Sequence, residues 1–327
     1  MYISATLSPA ISDKQSIEKL ISNGCNLFRL NFSWGTHQEY QEIIKNIREV
    51  SEKLQKETLI LQDLQGPKLR IQNCYTKQIN SGEKYLFSFE PTPNHFCLSA
   101  KGLYNTQNIG KQILIKDGQI KLEITKINKD AQSLEALALS SGEVKDKNGC
   151  NAPGIQLGLD PISKKDKQDI EFALSQNIDI ISLSFIHKSN DLIELKNIVQ
   201  DKSAILAKIE TQAAVENIDE ILKNADYCMI ARGDLGVEIG LENLAEGELI
   251  ILNAANKLKV PTLVATEVLK SMLEYTHPSR AEVNDIYHAL EHGASGFILT
   301  NETVVGKHPF LAIQWLTKLA NSYKKHK

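Results

Sequence analysis

Short, strongly apolar segments rich in β-branched residues recur along the chain, and most are followed by a stretch with helical periodicity. They fall at residues 3–6, 26–32, 58–64, 178–185, 204–210, 227–234, 262–267 and 296–300. Between them apolar positions return every three or four residues, as in Ile17, Leu20 and Ile21, in Ile43, Ile44, Ile47 and Val50, and in Ile218, Ile221 and Leu222. That period marks amphipathic helices, whereas short apolar runs bounded by turn residues mark buried strands. Phe310 to Tyr323 supplies a last amphipathic stretch. Eight strands in βα alternation predict an α/β fold, a (β/α)8 TIM barrel with its functional groups at the C-terminal strand ends.

One stretch breaks the rhythm. From Lys68 to Pro153 there is no long helical pattern, only short alternating runs at 85–89, 113–115 and 122–124. Ser81-Gly82, Asp117-Gly118 and Ser141-Gly142 separate them as turn signals. This predicts a small all-β lid domain at 68–153, inserted after strand 3 of a barrel made from 1–67 and 154–327. A barrel takes ~250 residues, so the insert accounts for the surplus in 327.

Composition narrows the function classes. At 42% hydrophobic residues the chain can build a core, which excludes wholesale disorder. A formal charge of −3 gives no global electrostatic case for nucleic acid or a membrane surface. No apolar run approaches the ~20 residues of a membrane span, and Met1-Tyr2-Ile3-Ser4 lacks the start of a signal peptide. Five scattered cysteines (Cys25, Cys74, Cys97, Cys150 and Cys228) form no CxxC pair, so free thiols in a reducing, cytoplasmic setting are expected. Cys25 and Cys228 read as small core residues. His37, His288 and His292 read as surface or capping residues on helices, and Lys324-Lys325-His326-Lys327 as a solvated helix end.

The barrel makes a demand that the sequence meets: each strand should end in residues too polar for a core. Strand 2 ends in Arg29, Asn31 and Ser33, strand 3 at Asp63, and strand 4 at Ser182 and Ser184. Strand 5 ends at Lys208 and Glu210, strand 6 in Arg232 and Asp234, strand 7 in Thr266 and Glu267, strand 8 in Thr300 and Glu302. Period two puts Lys208 and Glu210 on one side of their strand, and Arg232 and Asp234 likewise. These residue types suit phosphoryl transfer. Glu210 and Asp234 can hold magnesium, which takes few protein ligands, while Lys208 and Arg29 oppose the charge of a transferring phosphoryl group. The amides of GlyAspLeuGly (233–236) could receive a carboxylate. The rival chemistry is a Schiff base on Lys208, which neighbouring carboxylates disfavour by keeping the amine protonated.

The strings "RLNFSWG" (29–35), "DLQGPKLR" (63–70), "KDGQI" (116–120), "NGCNAPG" (148–154), "AKIET" (207–211), "MIARGDLGVEI" (229–239), "PTLVATEVLKSM" (261–272) and "HPSRAEVND" (277–285), in this order, resemble pyruvate kinase signatures. The resemblance covers nearly the whole chain. It implies a phosphotransferase that converts phosphoenolpyruvate and ADP to pyruvate and ATP with Mg2+ or Mn2+, under a lid. By position, Lys208 and Arg29 would hold the transferring phosphate, and Glu210 and Asp234 the divalent metal. Thr266 would stand beside the enolate, Gly233 and Asp234 amides would take the carboxylate, and Arg70 and Asn31 would serve the nucleotide. Asn31, Ser33 and Asp63 match a monovalent-cation site. Lys68 matches members whose lysine substitutes for potassium, so potassium is not expected to be required. No nucleic-acid or membrane partner is implied, and association of copies through the barrel stays open.

Departures from the pattern are Trp34 for His, Leu64-Gln65 for Thr-Lys, Asn148 for a lid lysine (with Lys147 adjacent), His187 for Arg, Glu267 for Gln, and Thr300-Asn301 for Ser-Gly. They keep two further readings open. One is a weak or inactive relative that binds phosphoenolpyruvate or a metal-bound oxoacid as a regulatory protein. The other is a metal-dependent oxoacid lyase or decarboxylase. The last expectation is a kinase core without the C-terminal α/β domain that the family often carries.

Overall fold

The computed structural model describes residues 1–72 and 76–325; Cys74 and the terminal His326-Lys327 lie outside the described residues. Eight parallel strands close into a barrel: β1 (Tyr2–Thr6), β2 (Leu27–Asn31), β3 (Leu59–Asp63), β4 (Ile180–Leu183), β5 (Ala204–Ile209), β6 (Tyr227–Ala231), β7 (Thr262–Ala265) and β8 (Gly296–Leu299). Each pairs with its sequence neighbour, and β1 meets β8 through Tyr2 and Gly296. The seam is tight, since a Cβ on Gly296 would stand 2.1 Å from the Tyr2 carbonyl oxygen.

Side-chain alternation explains the layout. Leu27, Leu61, Ile180, Leu206, Met229, Leu263 and Ile298 fill the barrel interior, while Phe28, Ile60, Ile181, Ile205, Cys228, Val264 and Phe297 belong to the core under the helices. Two residues further along the interior stripe come Arg29, Asp63, Ser182 and Lys208, so one parity carries an apolar floor and a charged mouth.

Several strands stop short of the expected segments. The sixth ends at Ala231, and Arg232–Ile239 is helical, so Arg232 and Asp234 occupy the first turn of a helix instead of one side of a strand. Likewise the seventh ends at Ala265, before Thr266 and Glu267.

Between β3 and the helix Lys164–Ser175 the chain builds a second body with its own core, including Tyr85, Phe87, Phe96, Ile113, Leu122 and Ile155. Its main sheet runs Cys150–Asn151, Gln112–Ile115, Ile120–Asn128, Ser133–Ala138, Lys84–Ser88, Phe96–Cys97, and Gly142–Val144 pairs with Lys77–Ile79. The hairpin joining Ile115 to Ile120 turns through three consecutive left-handed residues, Lys116, Asp117 and Gly118. One buried carboxylate holds both legs of this insert. Asp166 Oδ1 accepts from Gly66 N (3.2 Å) on the way out, and Oδ2 accepts from Ser163 N (3.0 Å) and Ser163 Oγ (2.5 Å) on the return. Among the described residues, no helix is long and apolar enough to cross a membrane.

Candidate active site

Asp63 is the centre of the charged mouth. Its Oδ2 accepts from Arg29 Nε (2.8 Å) and faces Arg29 Nη2 at 2.5 Å. Its Oδ1 accepts from Ser182 Oγ (2.9 Å) and meets Lys208 Nζ at 3.0 Å. Burial alone would raise this carboxyl, but Lys208 and Arg29 overcome it and hold the pKa down to about 2. Arg29 is further fixed by donating from Nη1 to Thr6 Oγ1 (2.9 Å), and Lys208 by donating to Ser184 Oγ (2.8 Å). Two cations thus share this one aspartate.

The carboxylates stand beside them. Glu210 is buried, its Oε1 accepting from Phe185 N (2.7 Å) and its Oε2 lying 3.6 Å from Lys208 Nζ. Burial, reinforced by the charge of Asp234 and opposed by Lys208, pushes Glu210 up to about 7. Burial works against the Lys208 ammonium too, yet Asp63 and Glu210 outweigh it and raise its pKa above the usual lysine value. A protonated lysine is a poor Schiff-base nucleophile, so the geometry favours fixed charge over imine chemistry. Among the described residues no group of three or more His, Cys, Asp or Glu side chains could hold a metal. The two carboxylates Glu210 and Asp234 line the same cleft and, as oxygen donors, nevertheless fit a hard divalent ion that keeps most of its own water or substrate oxygens.

Arg29, Asp63, Lys208, Glu210, Gly233, Asp234 and Thr266 all line one cleft of about 950 Å³, with Asp117 and Gly118 of the insert on its far wall. Thr266 and Glu267 follow β7 with φ of +75° and +55°. For a β-branched residue this is a true outlier, of the kind that costs roughly 1–3 kcal/mol and clusters at working sites. Gly233 allows the close approach, because a Cβ there would sit 3.1 Å from Thr266 Cγ2 and 3.7 Å from its Oγ1.

The remaining expected site residues lie around this group. Asn31 pairs in register with Asp63, and its Oδ1 accepts from Ser33 N (3.2 Å), which gathers that trio. Lys68 does something else: it donates to Asp234 Oδ1 (2.7 Å) and lies over the Phe185 ring, with no contact to the trio among the described residues. Arg70 sits at the base of the insert, bridged to Gly149 and donating to the Lys147 carbonyl (3.1 Å). Three participants were not singled out by sequence reasoning. Asn151 donates to Glu238 Oε1 (3.1 Å) and reaches Asp234 Oδ1 at 3.5 Å, linking insert to barrel. Glu238, pushed up to about 7 by burial first and then by Asp234 and Glu210, is the second. Asp285, paired to Arg232 at 2.6 Å, is the third. All three fall inside the quoted strings, but nothing local marks them as partners.

Comparison with known proteins decides the family. A family model described as "Pyruvate kinase, barrel domain" matches residues 1–313. The chain belongs to the pyruvate kinase family. Pyruvate kinases of Staphylococcus epidermidis and Staphylococcus aureus are 36% identical to it over 328 aligned positions, 98% of this chain and 56% of theirs. The chain thus spans about half the length of these curated relatives. A crystal structure of a pyruvate kinase from Cryptosporidium parvum superposes with a TM-score of 0.94 at 27% identity, covering 99% of this chain and 69% of that one. Of the departures from the pyruvate kinase pattern, Leu64 follows Asp63 directly and its carbonyl accepts from Ser184 Oγ (2.8 Å), while Glu267, Thr300 and Asn301 line the cleft. Trp34 is 70% exposed on the turn after β2, and Asn148 caps a turn by accepting from Lys145 N (2.7 Å). Glu267 is ion-paired to Lys270 on the same turn. Elsewhere the expected free thiols are core residues: Cys25 and Cys228 are buried, and burial pushes each up to about 12. His37 is tied to the buried Asp169 (2.7 Å) and stacked on Phe172.

Proposed function

We propose that the chain transfers the phosphoryl group of phosphoenolpyruvate to ADP, giving pyruvate and ATP, with the insert acting as the lid. The observation that carries this reading is the Asp63 clamp. Arg29 and Lys208 are pre-set on one buried carboxylate, beside Glu210, in the cleft that also holds Thr266. Preorganised cations need no reorganisation when charge spreads over the moving phosphoryl group. Lys208 and Arg29 hold that group, the Gly233 and Asp234 amides orient the carboxylate, and the Thr266 hydroxyl serves proton delivery to the methylene carbon. Glu210 and Asp234 would hold Mg2+ or Mn2+, which supplies, when bound, positive charge against the anionic substrate oxygens. Arg70 and Asn31 serve the nucleotide side, and Lys68, held on Asp234, supplies there a fixed unit charge in place of a monovalent ion.

The test is a coupled assay with phosphoenolpyruvate, ADP and magnesium, with and without potassium. Turnover should appear without potassium and fall about 10²–10³-fold in Lys208→Ala, the size expected for losing one preorganised charge. No turnover above that control would overturn the reading. Nucleotide-independent carbon dioxide release from oxaloacetate would favour the lyase, and binding without turnover the regulatory relative.

A further inference from the structure

The strained turn after β7 raises the question of what enforces it. Among the described residues Thr266 Oγ1 makes no hydrogen bond, so its direction is set by the backbone and not by a partner of its own. That backbone is held from one side. Arg232 donates to the Thr266 carbonyl twice, from Nε at 3.0 Å and from Nη2 at 2.8 Å. Its remaining Nη1 donates to Asp285 Oδ2 at 2.6 Å and faces Glu248 Oε1 at 3.8 Å. The side chain is 10% exposed. A guanidinium suits this task because its fork is planar and rigid, so one edge can grip an oxygen while the opposite arm is anchored on a carboxylate.

Charge accounting separates Arg232 from the other cations of the cleft. Arg29 and Lys208 share two carboxylates between them, Asp63 and Glu210, whereas Arg232 alone faces two, Asp285 and Glu248. It offers no surplus charge to an anionic substrate although it lines the cleft. Its hydrogen bonds go to the Thr266 carbonyl and to Asp285.

We infer that Arg232 is a positioning residue: braced by Asp285, its fork holds Thr266 in the left-handed conformation that sets its side chain beside Gly233 in the cleft. The inference rests on the proposed role of Thr266 and predicts that Arg232 governs the proton step more than phosphoryl transfer.

The experiment uses the full chain and the variants Arg232→Lys, which keeps the charge beside Asp285 but loses the fork, Arg232→Met, and Thr266→Ala. Crystal structures of the Arg232 variants are expected to show Thr266 leaving positive φ. Exchange of pyruvate methyl hydrogens with deuterated solvent should fall by about 10²-fold or more, as in Thr266→Ala, which is the scale of one proton-transfer group. Single-turnover ATP formation and KM for phosphoenolpyruvate should stay within about threefold, since binding and phosphoryl transfer do not use the hydroxyl. Retention of φ near +75° in both variants, or an equal loss in both chemical steps, would overturn the inference. So would failure of Arg232→Lys to fold, which would make Arg232 a structural residue. If the unaltered chain makes no ATP, the proposed reaction fails, and the Thr266 conformation in the variants still decides the role of Arg232.

Discussion

Asp63 concentrates two cations on one buried carboxylate, and its removal would leave both without a counter-charge. Asp63→Ala is expected to destabilise the fold by about 3–5 kcal/mol, the range for breaking a buried ion pair from one side, measurable by urea unfolding. The sign with pH follows from the direction of the shift. Asp63 titrates near 2 in the folded chain and near its ordinary 3.8 unfolded, so its contribution is fully present above roughly pH 4 and disappears as pH falls toward 2. Linkage sets that contribution at about 2 kcal/mol, and the acid limb of a stability profile should flatten by this amount in Asp63→Asn. Gly233→Ala tests the other side of the cleft. The new Cβ would crowd Thr266 Cγ2 at 3.1 Å, and activity should drop about tenfold with stability changed by less than about 1 kcal/mol. At this scale Arg29, Asp63, Lys208 and Glu210 were legible because alternation in a strand fixes which side chains face inward. The left-handed turn at Thr266-Glu267 was not, because a β-branched residue resists that conformation. Arg232, distant in sequence, supplies the constraint.

At the scale of elements, most strand positions followed from apolar runs, but their ends did not. The alternation of Arg232 and Asp234 after Met229-Ile230-Ala231 reads as a continuing strand, whereas the chain turns at Arg232 and buries Leu235 and Gly236 on a helix. Side chains fix two of the helix starts. Ser163 and Asp166 form a capping box at Lys164–Ser175, and Thr36 with Glu39 does the same at His37–Leu54. Asp166 has the added task of gripping Gly66. Asp166→Ala should therefore cost about 2–3 kcal/mol, more than a cap alone. Hydrogen exchange should speed up at Gly66 and Ser163 together while the barrel strands keep their protection. Independent changes at the two amides would contradict a shared clamp.

At the scale of the molecule, barrel and insert each have a core, and polar contacts near Asp234 link them. Lys68 and Asn151 both reach that carboxylate from the insert side. Lys68→Met should lower turnover by about tenfold, and potassium should restore part of it, because an ion can replace the missing unit charge. Full activity in Lys68→Met without potassium would remove Lys68 from the mechanism. The insert itself was legible as a break in helical periodicity, whereas its docking onto Asp234 and Glu238 depends on tertiary placement that no local pattern encodes.

The β1–β8 seam carries a kinetic consequence. Tyr2 cannot find Gly296 until all seven later strands of the barrel have been made, and β3 cannot pair with β4 until the insert has been made. During synthesis the growing sheet therefore carries open strand edges, templates for unwanted pairing with other chains. The insert, whose central hairpins join residues close in sequence, should reach its native form before the barrel.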